Sequence, residues 1–268
     1  MNNLYITSFL SMTGLAVFFA VVLAFADKKL KVKEDPKVEE ITHLLPGVNC
    51  GACGALSCRD FAEHVVKERV DPAKCRVMHE DARKKIYEIM GTKETETFPM
   101  LPLVRCAAEW DQKKTAAEYK GVKTCGAANE LFGGGMECGY GCIGFSDCVR
   151  VCQFDAIHME NGLPKVETTK CTGCGKCQEA CPRGIIEMLE KANEKLFYVA
   201  CSSHDDMMRT RKICPVGCIS CGICVKLSKD GFFQITENLS KERVALQGDP
   251  TALEAIQAKC PTKVIKVI

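Results

Sequence analysis

Residues 171–182 read CTGCGKCQEACP, four cysteines at the spacing C-x2-C-x2-C-x3-C followed by proline. Thiolates spaced this way wrap a cubane [4Fe-4S] cluster, three on one cluster and the fourth reaching across to a neighbour. A second cysteine set must therefore stand nearby, and CGYGCIGFSDCVRVCQFDAI, residues 138–157, supplies it with Cys138, Cys142, Cys148 and Cys152. Phe145 occupies the place of its middle cysteine, and Cys138, four residues before Cys142, is the expected substitute. Crossing the fourth ligands assigns Cys138, Cys142, Cys148 and Cys181 to one cluster and Cys152, Cys171, Cys174 and Cys177 to another. Zinc, the other tetrahedral guest of four cysteines, has no use for eight interleaved thiols with a following proline.

Two further quartets follow. LLPGVNCGACGALSCRDFAEHVVKERVDPAKC, residues 44–75, offers Cys50, Cys53, Cys58 and Cys75, with zinc or a Cys50/Cys53 redox pair as alternatives. An amphipathic helix over 57–70, with Phe61, Val65 and Val66 on one face, is expected to return Cys75 to the other three. Near the C-terminus, CISCGICVKLSKDGFF keeps Cys218, Cys221 and Cys224 but has Ser228 at the fourth position, while Cys260-Pro261 stands alone downstream. Counting back from Cys260, the three companion positions fall on Pro250, Leu253 and Ile256. The losses remove one whole cluster and leave Cys218, Cys221, Cys224 and Cys260 as a complete one. Cys106, Cys125, Cys201 and Cys214 remain; they form either a fifth quartet between units or packed thiols that behave as small hydrophobes.

Twenty cysteines in 268 residues, with 36 basic against 34 acidic side chains, set the wider frame. A net charge of +2 argues against nucleic acid. Cysteine-dense chains fold around cross-links or metal. LYITSFLSMTGLAVFFAVVLAFA, residues 4–26, is uncharged and long enough to span a bilayer; it reads as one transmembrane helix rather than a signal peptide, since no basic residue precedes it. Lys28, Lys29, Lys31 and Lys33 follow it and place the remainder on the cytoplasmic side, where thiols stay reduced. GYGCIG, residues 139–144, has the glycine pattern of a dinucleotide loop but no preceding strand, and GGG at 133–135 is expected to make a turn, so no nucleotide site is expected. His43, His64, His79, His158 and His204 have no paired ligand spacing, and the charged run 190–212 is expected to be a solvated helix and turn.

Taken together, the anchor, PGVNCGACGALSC with Cys75, and CTGCGKCQEACP make the chain resemble the B subunit of the Rnf complex, the ion-translocating ferredoxin:NAD oxidoreductase of bacteria, in an extended form with extra cysteines. Gln153, where proline would follow the cysteine, and the deleted C-terminal cluster are departures. The expected fold class is α+β: a single N-terminal transmembrane helix (1–27), a basic linker (28–40), a small helical 4Fe-4S domain (41–90), a linker or cover segment (91–135), a two-cluster bacterial-ferredoxin-like unit (136–187) and a second such unit with one cluster lost (188–268). The resemblance implies an electron-relay subunit without catalytic residues, held at the cytoplasmic face of the bacterial inner membrane. It would take electrons from soluble ferredoxin, docking near an exposed cluster from residue 136 onward, and pass them to membrane subunits that couple transfer toward NAD to Na+ or H+ translocation. A membrane-tethered iron-sulfur redox sensor or scaffold is the alternative. A hydrogenase-like subunit is disfavoured because the cysteines are consumed as ligands.

Overall fold

The computed structural model describes residues 2–30, 35–95, 98–190, 195–228, 230–243 and 249–268. Among them, α1 (Asn2–Leu30) joins no core: none of its most apolar stretch within Tyr5–Lys29 is buried, as suits a helix whose solvent is lipid. Lys28 and Lys29 close it, while Lys31 and Lys33 of the expected basic cluster lie outside the described residues.

α2 (Pro36–Leu44) starts from Asp35, whose carboxylate accepts from the Lys37 N–H at 2.9 Å, with Pro36 at the first helical position. α3 (Cys58–Val66) is capped by Ser57 and buries Phe61, Ala62 and Val65. It ends four residues before the expected boundary, because the chain reverses at Glu68, which takes φ 55. Asp71 then caps a short 3-10 turn over Pro72–Lys74, and this turn returns Cys75. α4 (Glu80–Met90), closed by a left-handed Gly91, completes a small helical core around Ile41, Phe61, Val65 and Ile86.

Segment 91–135, expected as a linker or cover, supplies β1 (Met100–Val104) and α5 (Cys125–Glu130). α6 (Asp147–Arg150) leads into β2 (Ile157–Glu160) and β3 (Leu163–Val166), followed by α7 (Lys176–Glu179) and β4 (Ile186–Glu190). β2 and β3 form a hairpin, turning through Asn161 and Gly162 with φ of 49° and 78°, the Asn-Gly pair that such tight turns select. β1 pairs antiparallel with β4, Leu103 opposite Glu187. Gly173 is required in the Cys171–Cys174 loop: it has φ 70, and a Cβ there would stand 2.5 Å from the Met100 carbonyl oxygen.

The last unit repeats this plan with β5 (Phe197–Val199), α8 (Met207–Ile213), α9 (Ile223–Leu227), β6 (Phe233–Thr236), β7 (Leu239–Glu242), α10 (Pro250–Ala258) and β8 (Ile265–Val267). β5 pairs with β8 and β6 with β7, all antiparallel. The charged run 190–212 is thus only partly a solvated helix: residues 191–194 lie outside the described residues, and Phe197, Tyr198 and Val199 form a buried strand. Where the deleted cluster's cysteines would stand, Leu253 and Ile256 pack with Phe232, Phe233 and Val264. The two units meet where Leu103 packs against Leu196, Tyr198 and Ala200.

Candidate metal centres

Cys50, Cys53, Cys58 and Cys75 wall one small apolar cavity. The Asn49 side chain accepts from the Cys58 N–H at 2.8 Å and the Asp60 carboxylate from the Leu56 N–H at 2.9 Å, fixing the loop against the start of α3. Cys218, Cys221, Cys224 and Cys260 wall a second cavity, so the solitary Cys260 does meet its three distant companions. Cys171 lies near Cys152 and Cys174, and Cys177 near Cys171 and Cys174.

The remaining eight thiols sort differently from the expectation. Cys142, Cys148 and Cys181 share their cavity with Cys125, not Cys138. Cys138 instead joins Cys106, Cys201 and Cys214 around another cavity. The exchange has a local cause. In α6, Asp147 accepts from the Gly126 N–H at 3.0 Å and Arg150 donates to the Lys123 carbonyl at 3.0 Å, so the start of α5 is pinned beside Cys148. Arg183 donates to the carbonyls of Cys138 (2.9 Å), Gly141 (2.6 Å) and Gly133 (2.9 Å), which holds the Cys138 loop against the guanidinium. Cys125 thereby lines the cavity of Cys142, Cys148 and Cys181, whose run has Phe145 at its middle position.

The donor set itself tests what these sites accept. Burial pushes the Cys75 thiol up to about 11, and those of Cys142, Cys148, Cys177 and Cys201 up to about 12, so no bare thiolate would be stable there. Yet backbone N–H groups point at the sulfurs: those of Val77 and Met78 at Cys75, Gly173 at Cys171, Ser220 and Ser240 at Cys218. Buried thiols with N–H donors already aimed at them suit thiolates stabilised by bound iron. Four thiols spaced around one cavity wall leave room for a cluster between them. The residues fit the [4Fe-4S] group.

Two family models match within the chain: "Putative Fe-S cluster" over residues 45–77 and "4Fe-4S binding domain" over 164–187. The B subunit of the ion-translocating oxidoreductase complex of Methanosarcina acetivorans is 35% identical over 268 residues, covering 100% of both chains. The chain belongs to the B subunits of the Rnf complexes. The B subunit of the proton-translocating ferredoxin:NAD(+) oxidoreductase complex of Clostridium ljungdahlii is 34% identical over 99% of this chain and 93% of its own. The Na(+)-translocating counterpart of Acetobacterium woodii is 37% identical over 75% of this chain and 60% of its own length. As an Rnf B subunit, the chain is an iron-sulfur electron-transfer component of a membrane-associated oxidoreductase complex.

Two cations at these sites were absent from the sequence expectations. Arg183 follows the Cys181-Pro182 pair and feels the charges of Cys138, Cys142, Cys106 and Cys181. Arg105 is buried beside Cys106; it donates to Glu187 at 2.7 Å, to the Val199 carbonyl at 3.1 Å and to Glu242. The only sequence signal for either was an arginine adjoining a ligand motif.

Proposed function

We propose that this B subunit accepts electrons from reduced ferredoxin and relays them to membrane partners that couple ferredoxin:NAD oxidoreduction to Na+ or H+ translocation, with no bond chemistry on this chain. Cys50, Cys53, Cys58 and Cys75 hold one [4Fe-4S] cluster; Cys152, Cys171, Cys174 and Cys177 a second; Cys218, Cys221, Cys224 and Cys260 a third. When bound, such clusters supply reversible one-electron storage at potentials set by hydrogen bonds, charge and solvent exposure. The chain's own residues hold the ligands, aim N–H donors at sulfur and keep water out with apolar walls. α1 anchors the chain in the bacterial inner membrane as a single pass, with the N-terminus outside and the cysteine-bearing units cytoplasmic, in keeping with Lys28 and Lys29 at its end.

The observation that carries this reading is the contiguity of the thiol quartets. Cys148 lies within range of the charge of Cys177 in the neighbouring quartet, and the Cys218 N–H donates to the sulfur of Cys201. A structural metal site needs no neighbour, whereas a relay does. Stopped-flow mixing of the anaerobically purified full-length chain in detergent with reduced ferredoxin tests it. Rapid bleaching of the cluster absorbance is expected; sluggish exchange, with partner binding that changes with redox state, would instead establish a sensor.

A further inference from the structure

We infer that Cys106, Cys138, Cys201 and Cys214 hold a [4Fe-4S] cluster at the junction of the two units, and that Cys125, not Cys138, completes the cluster of Cys142, Cys148 and Cys181. The inference rests on the iron-sulfur relay reading and assigns the ligands that reading leaves open.

Shared walls are the first observation, since each quartet lines its own cavity. The rest of the junction cavity's wall is mixed, with Ala107, Met136, Ile213 and Val216 beside Lys113, Lys114 and Ser202.

Internal symmetry is the second and independent observation. The two units correspond in register: the Arg105 N–H donates to the Ile185 carbonyl at 2.7 Å, and the Ala200 N–H to the Val264 carbonyl at 2.9 Å. Ile185 stands four residues after Cys181, and Val264 four after Cys260. In this register Cys106 and Cys201 are equivalent, each two residues beyond the first strand of its unit, in LVRC and YVAC. Cys138 and Cys214 are equivalent as well, each four residues before the first cysteine of the local quartet, in CGYGC and CPVGC. Their sulfurs accept from the same offsets: Tyr140 and Gly141 N–H at Cys138, Val216 and Gly217 N–H at Cys214. The junction set is therefore two copies of one pair, one from each unit. Cys125 has no equivalent in the second unit, and it needs none, because Cys221 there occupies the middle position that Phe145 vacates in the first.

One consequence is a fixed neighbour order. Gly51 abuts the Lys176 ammonium, with a Cβ there falling 3.8 Å from Nζ, which sets the Cys50 site beside the Cys171 site. Cys177 adjoins Cys148, Cys142 feels Cys106, and Cys201 accepts from Cys218. The five sites thus run in series from the Cys50 site through those of Cys171, Cys148 and Cys106 to that of Cys218. Without the junction site the last would be cut off.

Counting clusters in paired variants of the anaerobically purified full-length chain, by iron, sulfide and Mössbauer spectra, decides the assignment. The wild type should carry about 20 iron atoms, and Cys138→Ala, Cys201→Ala and their double variant each about 16, because two ligands of one cluster are lost only once. Cys125→Ala with Cys142→Ala should likewise retain about 16, whereas Cys138→Ala with Cys142→Ala should fall to about 12. The reverse pattern, about 12 for the Cys125/Cys142 pair and about 16 for the Cys138/Cys142 pair, would overturn the exchange. A wild-type content of about 16, unchanged in Cys138→Ala and Cys201→Ala, would overturn the junction cluster yet leave the relay reading standing. A wild type without iron would sink the relay itself. Where an alanine variant loses all iron, the matching Cys→Ser pairs preserve side-chain volume, and electron paramagnetic resonance of three-iron species counts the damaged clusters in the same way.

Discussion

A single guanidinium stands between two of the candidate clusters. Arg183 lines the Cys148 cavity while its N–H groups hold the Cys138 loop of the junction site, so its charge acts on both. A nearby positive charge favours the reduced, more negative cluster. Arg183→Gln is therefore expected to lower the midpoint potentials of the junction and Cys148 clusters on the order of tens of millivolts, leaving the Cys50 and Cys218 clusters unmoved. Redox titration followed by electron paramagnetic resonance reads this. An equal shift at all sites, or none, would show that Arg183 only braces the loop. Lysine is not an equivalent replacement, since one ammonium cannot span the three carbonyls that the planar fork reaches.

Among the elements, helix starts hold Cys58, Cys125, Cys148, Cys177 and Cys224, and for Cys125 that start decides which thiols it joins. α5 begins at Cys125 because Thr124 caps it, accepting from the Ala127 N–H at 3.2 Å, and because Asp147 accepts from Gly126. Asp147→Ala should free this start and convert the Cys148 cluster to a three-iron form, with other sites intact in the same spectra. Thr124→Ala should do less, costing about 1 kcal/mol of local stability by urea titration. α10 makes the opposite use of a cluster position: Ile256, 4% exposed, fills with hydrocarbon what thiols would otherwise surround. Ile256→Ala should destabilise the second unit by about 2–5 kcal/mol without loss of iron. Spacing made these elements legible wherever ligands are close in sequence. The Cys171 run and the reach of Cys260 could be read from the chain, because a fixed ligand pattern leaves the backbone little choice. Cys125 and Cys138 could not be sorted by distance along the chain: a helix cap, and a carboxylate 21 residues from Gly126, set the position of Cys125. β1 was equally hidden, since its partner strand β4 lies beyond the whole hairpin and both cysteine runs, where Leu103 faces Glu187. The repeat of C-x3-C before both units was the one signal that would have paired Cys138 with Cys214.

At the scale of the molecule, docking of the two units and closure of the junction site are one equilibrium, and Arg105 ties them together. It sits beside Cys106, pairs with Glu187 of its own unit, and crosses to Glu242 and the Val199 carbonyl of the other. Glu242 in turn accepts from the Val199 N–H at 3.1 Å, so every charge in the triad has a partner. Burial opposes the Arg105 charge, but Glu242 and Glu187 hold the guanidinium above its ordinary range, so the guanidinium stays charged at any working pH. Removing one member of a buried pair strands the other, at a cost of about 3–5 kcal/mol, whereas replacing the pair with packed hydrocarbon can be nearly neutral. Arg105→Ala should therefore separate the units to limited proteolysis and release about 4 iron atoms, those of the junction site alone. Arg105→Met combined with Glu242→Leu should recover most of the stability and the iron, because what the junction requires is two docked units rather than the charge itself. If the double variant regains stability but not iron, the cation is needed at the site, and Arg105 is a positioning residue for Cys106 as well as a clamp.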